Sequence, residues 1–214
     1  MIEIVIIGKN EGMSIKKMRD SLIMYPCNRI WVLDRCTDNS ELILSELGEN
    51  YIKTPEKWQG RKTSSARNLG LSMCEPTSDV LFLDGDRFVV EGDLSQLENW
   101  NKDIALLLLE NDLREDILNY NEHYRTIGNK FYSCGVFFKR KAINKLLGYF
   151  GEVFPTELQE YWGIEDLGIG DSSYRLGLTC DIYRKCRLNG GFDRMDVSPE
   201  AAKLRFDRIN RIWK

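Results

Sequence analysis

Apolar positions in this chain come in short blocks separated by polar, helix-forming stretches. Ile2–Ile7 ("IEIVII") is a β-branched run closed by Gly8 and followed by a helical pattern from Ser14 to about Tyr25. Arg29–Asp34 ("RIWVLD") reads as a second strand, and Thr37-Asp38-Asn39-Ser40 supplies helix-capping chemistry ahead of "ELILSEL". "NYIKTP" predicts a short third strand, "GRKTSSARNLGLSMC" a loop entering a helix, "DVLFLD" (Asp79–Asp84) a fourth strand and "DIALLLLE" (Asp103–Glu110) a fifth. Strands that alternate with helices predict an α/β fold with a mostly parallel sheet covered on both faces.

The second half is less regular. "KFYSCGVFFKR" (Lys130–Arg140) reads as a strand and "KAINKLLGYF" as a short helix after it. "ELQEYWGIEDLGIGDSSYRLGL" sets an acidic pair ahead of a helix, "CDIYRKCRL" is a late strand, and a last helix is expected from Pro199 to Trp213. No repeat, low-complexity segment or linker interrupts the chain, so a single domain over 1–214 is expected.

In an open α/β sheet, ligands collect at the carboxyl ends of the strands. Polar residues recur there: Asn10 and Glu11 after the first strand, Asp34 after the second, Asp84 and Asp86 after the fourth.

Composition adds limits. At 214 residues, 43% hydrophobic and 29% charged, the chain suits one soluble globular domain that needs no disulfide or metal to fold. A net charge of −3 argues against a surface built wholly to hold nucleic acid, though not against a local basic patch. The six cysteines (27, 36, 74, 134, 180 and 186) form no CxxC pair, which points to reduced thiols. With no secretory signal and no run near the ~20 apolar residues of a membrane span, the expected location is the cytoplasm, a host's cytoplasm if the chain is viral.

The chemistry centres on "VLFLDGDRFV", where an apolar run ends in Asp84-Gly85-Asp86-Arg87. If the chain stays extended, Asp84 and Asp86 share a face, and their repulsion must be offset by a cation or by hydrogen bonds. A hard divalent ion suits such oxygens. The alternative is a common Asp-Gly turn, with Asp86 capping the segment after it.

Five ordered pieces, "IVIIGKNE", "VLDRCTDNS", "GRKTSSARNLGL", "VLFLDGD" and "YWGIEDLGIGDSSYRLG", together resemble the family 2 nucleotide-sugar glycosyltransferases, which have the GT-A fold. The resemblance runs from about Ile2 to Gly177. It implies a nucleotide-sugar-binding half over 1–110 and an acceptor-binding half over 111–214. Asp84-Gly85-Asp86 resembles the Asp-x-Asp motif that holds a divalent metal, Mn2+ or Mg2+, against the donor diphosphate. By the same resemblance Gly8, Asn10 and Glu11 flank the nucleotide and Asp34 meets the base, commonly uracil. The chain has Leu33-Asp34-Arg35 where the family often has two aspartates and a glycine. Arg61, Lys62, Arg67 and Asn68 fall in the segment similar to the donor-binding "ARN" region. Trp162-Gly163-Ile164-Glu165-Asp166 resembles the acceptor-site "WGxED" element, which makes Asp166 the catalytic base and Glu165 its acceptor-contacting neighbour. Arg175 is a candidate to orient a carboxylate or phosphate on the acceptor, and Trp162 with Gly163 a sugar-stacking platform. His123, the one histidine, precedes that element and is a weak metal candidate.

From Arg175 to Lys214 ten basic residues stand against five acids. A solvated surface helix explains them, as does an anionic acceptor: a phosphorylated glycan, a lipid carrier, or DNA carrying a hydroxymethylated base. The implied activity is transfer from a UDP-linked donor to an acceptor hydroxyl. Its rivals are a nucleotidyltransferase, for which "IGKNEGMS" is a poor signature, and a silent binding module that keeps the fold.

Overall fold

The apolar blocks become strands buried on both faces. The structure, a computed structural model, describes residues 1–110, 134–161, 164–189, 199–200 and 203–204. Among these, eight strands form one sheet: β1 (Ile2–Gly8), β2 (Asn28–Leu33), β3 (Tyr51–Lys53), β4 (Asp79–Asp84), β5 (Val89–Gly92), β6 (Ile104–Leu109), β7 (Gly135–Phe138) and β8 (Cys180–Leu188). The described helices are α1 (Ile15–Ser21), α2 (Ser40–Glu46), α3 (Thr63–Ser72), α4 (Arg140–Phe150) and α5 (Ile164–Arg175).

Strand order is β3-β2-β1-β4-β7-β6-β8-β5. β1 pairs parallel with β2 and β4, β2 with β3, and β6 with β8, while β7 runs antiparallel between β4 and β6, and β5 antiparallel beside β8. Parallel pairings therefore outnumber antiparallel ones, as the alternation of elements predicts. The order departs in both directions from β1, so the carboxyl ends of β1, β2 and β4 open a crevice where a ligand can sit.

Alternate residues of each central strand feed two cores. Val5, Ile7, Val80, Phe82, Ile104 and Leu106 pack with Ala66 and Leu71 of α3, Ala142 and Leu146 of α4 and Ile169 of α5. Ile4, Ile6, Leu81, Leu83, Ala105 and Leu107 face the other way, onto Ile15 and Met18 of α1 and Leu44 of α2. Burial on both sides is why these strands read as nearly unbroken apolar runs. α3 lies unusually close to the sheet: a Cβ on Gly70 would sit 2.4 Å from Val5 Cγ1 and 2.9 Å from Val32 Cγ2. That approach sets the depth of the first turns of α3 at the crevice.

Several predicted boundaries shift. The first helix is shorter than Ser14–Tyr25, ending at Ser21 in a turn ahead of Pro26. Arg140 opens α4 rather than closing β7, because its backbone N–H is taken by Asp79 Oδ1 at 2.7 Å. β5 has no counterpart among the strands expected from sequence. Three of its four residues are exposed and a bulge breaks its pairing with β8, so it carries no alternating pattern. The last helix is described only at residues 199–200 and 203–204, and His123, Trp162 and Gly163 lie outside the described residues.

Candidate functional site

The first wall of the crevice is two loops lashed together. After β1, Asn10 adopts φ 61°, and its Oδ1 accepts the Thr37 N–H at 2.7 Å. The Gly12 N–H donates to Asp38 Oδ2 at 2.9 Å. Glu11 packs against Gly8 and Gly85, where an added Cβ would lie 3.1 and 3.2 Å from its Cγ. Burial pushes the Glu11 carboxyl upward; the Ser14 hydroxyl opposes this, and the charges of Asp86 and Asp84 add to it.

Asp34 is buried at the end of β2. It accepts two hydrogen bonds from Arg35, at 2.7 and 2.8 Å, and one from the Thr54 hydroxyl at 3.0 Å. Burial alone would raise its carboxyl, but Arg35 and Thr54 outweigh it and hold Asp34 below the ordinary value. Arg35 can fold back because its φ is 52°, in the left-handed region. Its guanidinium also donates to the carbonyls of Trp58 and Gly60, at 2.8 and 2.9 Å, fastening the loop 55–62 over Asp34.

That loop ends on the other half of the molecule. Arg61 donates to Glu165 Oε1 at 2.8 Å, the Arg61 N–H to Glu160 Oε2 at 3.1 Å, and Lys62 Nζ to Glu160 Oε1 at 2.6 Å. Asn68 grips the backbone of Phe154 at both ends, donating to its carbonyl at 2.7 Å and accepting its N–H at 3.0 Å.

At the centre is Arg67, 3% exposed, on α3. It donates to Asp84 Oδ1 at 2.5 Å and lies over the Phe154 ring at 5.6 Å. Burial works against its charge, yet the fields of Asp84, Asp166 and Glu165 together keep its guanidinium more firmly protonated than usual. One buried cation thus joins carboxylates from β4 and from α5. Arg67 Nε remains buried with no hydrogen-bond partner.

The chain does not stay extended past Asp84. The Arg87 N–H closes a turn onto the Asp84 carbonyl at 2.9 Å, and the Gly85 N–H donates to the Ile7 carbonyl at 2.6 Å. The Asp-Gly segment makes the turn that was the alternative to an extended run, and the charges of Asp84 and Asp86 both reach Glu11. The Asp86 side chain is 51% exposed, 3.7 Å from Arg87 Nε.

Glu165 and Asp166 occupy the first turn of α5, where the helix dipole favours negative charge. Glu165 is 1% exposed, its Oε1 accepting from Arg61 and from the Thr63 hydroxyl at 3.3 Å. Its Oε2 is buried without a hydrogen-bond partner. Burial first, and then the charge of Asp166, push its carboxyl up to about 7. Asp166 is half-buried.

The structure therefore brings Gly8, Asn10, Glu11, Asp34, Arg61, Arg67, Asp84, Asp86, Glu165 and Asp166 around one crevice. Asn68, whose amide is spent on the Phe154 backbone, and Arg175 stand apart from it. Arg175 is the more distant. It is exposed at the last turn of α5, nine residues after Asp166, so about 14 Å of helix separates it from the acid pair. Sequence reading missed Arg35 as the clamp on Asp34 and Glu160 as the partner of Lys62. For Arg35 the signal was its direct adjacency to Asp34; Glu160 gave none.

No known family model and no curated protein matches the chain by sequence. Solved structures do match by shape. The 1–349 portion of S. aureus TarS superposes with TM-score 0.63 at 16% identity, over 99% of this chain and 65% of that one. Mycobacterium tuberculosis glucosyl-3-phosphoglycerate synthase in complex with UDP matches with TM-score 0.59 at 14% identity, over 99% of this chain and 78% of that one. The same synthase with Mn2+, UDP-glucose and phosphoglyceric acid matches with TM-score 0.59 at 14% identity, over 100% of this chain and 80% of that one. This chain spans about two thirds of the TarS portion and about four fifths of the synthase. Along essentially its whole length it has the fold of these proteins, the GT-A fold.

Proposed function

We propose that this chain is a metal-dependent, inverting glycosyltransferase of the family 2 type, moving a sugar from a UDP-linked donor to an acceptor hydroxyl. The observation that carries the reading is Arg67, which sets the Asp84 turn and the Glu165-Asp166 pair against one another at the crevice of a GT-A fold. The UDP, Mn2+ and UDP-glucose in the synthase structures support the donor and the cation.

Gly8, Asn10 and Glu11 flank the nucleotide, and Asp34, held ionised by Arg35, faces the base. Arg61 borders the diphosphate. Arg67 and Asn68 act from behind, one orienting Asp84 and the other holding the Phe154 backbone. Asp84 and Asp86 would hold the cation. Among the described residues no three His, Cys, Asp or Glu side chains gather into a metal cage. Two carboxylates completed by phosphate oxygens and water suit Mg2+ or Mn2+ without one. When bound, the cation neutralises charge on the departing diphosphate.

The acceptor oxygen attacks the anomeric carbon from the face opposite the diphosphate. Its proton passes to Asp166 as the carbon–diphosphate bond breaks and the diphosphate leaves with the electron pair. Glu165, with Trp162 and Gly163, borders the acceptor. The half 1–110 binds the donor and the half 111–214 the acceptor, and the reading places the enzyme in the cytoplasm, consistent with cysteines that show no framework spacing. No described helix is long and apolar enough to cross a membrane. A DNA acceptor rests on ten basic residues of which five, Arg194, Arg205, Arg208, Arg211 and Lys214, lie outside the described set, and no observation favours it.

The test is donor hydrolysis across a panel of nucleotide sugars with Mn2+, Mg2+ or EDTA. Turnover of a UDP-sugar with metal and its loss in EDTA is expected. Undiminished turnover in EDTA would remove the metal from the reading, and no binding of any nucleotide diphosphate would remove the reading itself.

A further inference from the structure

Asp86 is held in place by a residue more than a hundred positions away. Asn189 comes directly after β8 and makes four hydrogen bonds to the segment Asp86–Phe88. Its backbone N–H donates to the Phe88 carbonyl at 3.0 Å, and its carbonyl accepts from Arg87 Nη1 at 3.2 Å. Its side chain does the rest: Nδ2 donates to the Asp86 carbonyl at 3.0 Å, and Oδ1 accepts the Phe88 N–H at 2.6 Å. The amide orientation is fixed by these partners, since a flip would oppose oxygen to oxygen and N–H to N–H.

β5 and β8 are in register at Val89 and Leu188. Asn189 carries that pairing one residue further, to Phe88. There the chain bends away into the Asp84–Arg87 turn, and the side-chain amide replaces the peptide group a longer strand would have offered. The peptide unit between Asp86 and Arg87 is then held at both ends. Asn189 Nδ2 takes its carbonyl, and the Asp84 carbonyl takes its N–H at 2.9 Å. Asp84 itself is set by β4 and Arg67. The orientation of that peptide unit sets the direction in which the Asp86 side chain, 51% exposed and 3.7 Å from Arg87 Nε, leaves the turn.

We infer that Asn189 is a positioning residue that aims the Asp86 carboxylate at a divalent cation shared with Asp84. The inference rests on the reading of Asp84-Gly85-Asp86 as a cation-holding turn. Groups that orient a metal ligand from behind typically contribute 10–100-fold to metal affinity.

The experiment uses the full chain and two probes, Mn2+ with UDP and UDP alone. Free Mn2+ is followed by electron paramagnetic resonance, at a temperature where circular dichroism shows each variant folded. Wild type should bind Mn2+ with UDP, and Asp86→Asn should lose most of that binding. Asn189→Ala should weaken Mn2+ binding by about 10–100-fold while the Kd for UDP without metal stays put. Asn189→Ser, whose hydroxyl is too short to span both partners, should fall between and serves if the alanine variant does not fold. Mn2+ binding by Asn189→Ala that matches wild type, with Asp86→Asn defective, overturns the inference and leaves the cation turn standing. An equal rise in the Kd for metal-free UDP also overturns it, since the lesion is then general disorder. Mn2+ binding that ignores Asp86→Asn, or is absent in wild type, overturns the cation turn and the inference with it.

Discussion

Glu3 and Glu165 are each 1% exposed, at opposite ends of the sheet, and they are treated very differently. At the amino end of β1, Glu3 has both oxygens filled, Oε1 by Asn28 Nδ2 and Oε2 by the Glu75 N–H, each at 2.6 Å. Nearby, Asp79 takes the Arg140 N–H at 2.7 Å and Lys139 Nζ at 3.2 Å. At the carboxyl end, Glu165 Oε2 and Arg67 Nε are buried with no hydrogen-bond partner. Folded proteins rarely leave such charged atoms unpaired, so two of them beside the crevice need a reason. One end of the sheet uses its buried charges to close the structure; the other keeps hydrogen-bonding capacity in reserve where the crevice opens.

The sharpest way to break this contrast is at the turn. Asp86→Asn should abolish metal-dependent transfer while leaving the circular dichroism spectrum and melting curve near wild type, because an exposed carboxylate carries no core. Full activity in that variant would show that the carboxyl end is as structural as the amino end. Next in size is Asp166→Asn, which keeps the shape and removes the proposed proton acceptor. Turnover should fall by roughly 10²–10⁴ with little change in donor affinity. A donor Kd that rises as steeply as turnover falls would move Asp166 to the donor site.

The two glutamates can be compared directly by stability. Glu3→Gln keeps one acceptor oxygen but turns an NH2 toward the second N–H donor, so one charge-assisted bond is weakened and the other lost; it should cost about 1.5–3 kcal/mol in urea unfolding at neutral pH, with the crevice untouched. Glu165→Gln should cost less, since burial already disfavours the charged form it replaces. If the two losses prove equal, the reserve at the carboxyl end is not real.

The last contrast is a pH dependence. Glu165 has a folded value of about 7 against an ordinary 4.5, so between these limits the folded chain binds more protons than the unfolded one. Its contribution is therefore fully present below pH 4.5 and declines as pH rises toward 7, because burial outweighs the ion pair with Arg61. Melting temperature measured for wild type minus Glu165→Gln should fall across that window and level off above it. A flat difference would mean that Glu165 is ionised throughout.

The strands that were legible in the sequence, β1, β4 and β6, are those buried on both faces, where packing writes an unbroken apolar run. β8 was legible to its limits, whereas β5, with three exposed residues, had no pattern to read. The acid motifs were visible as short strings, but their meeting was not. Arg67 and Asp84 are 17 positions apart, and Arg61 and Glu165 are 104. Only the seating of α3 on β1 and β2, and of α5 across from it, brings them together. The misplacement of Arg175 has the same origin: nearness in sequence along a helix is distance in space.

Gly70 gives that seating a practical consequence for protein engineering. Replacing a helical glycine by alanine is a standard stabilising step, worth up to about 1 kcal/mol where the space allows. Gly148 in α4 has nothing within 4 Å of an added methyl and suits it. The same change at Gly70 meets Val5 at 2.4 Å and Val32 at 2.9 Å, so these side chains or α3 must shift, and a shift of α3 would draw Arg67 away from Asp84. Two substitutions that look alike in a helix-propensity table thus should have opposite outcomes, one a more durable protein and the other a chain whose crevice is distorted with every residue that lines it unchanged.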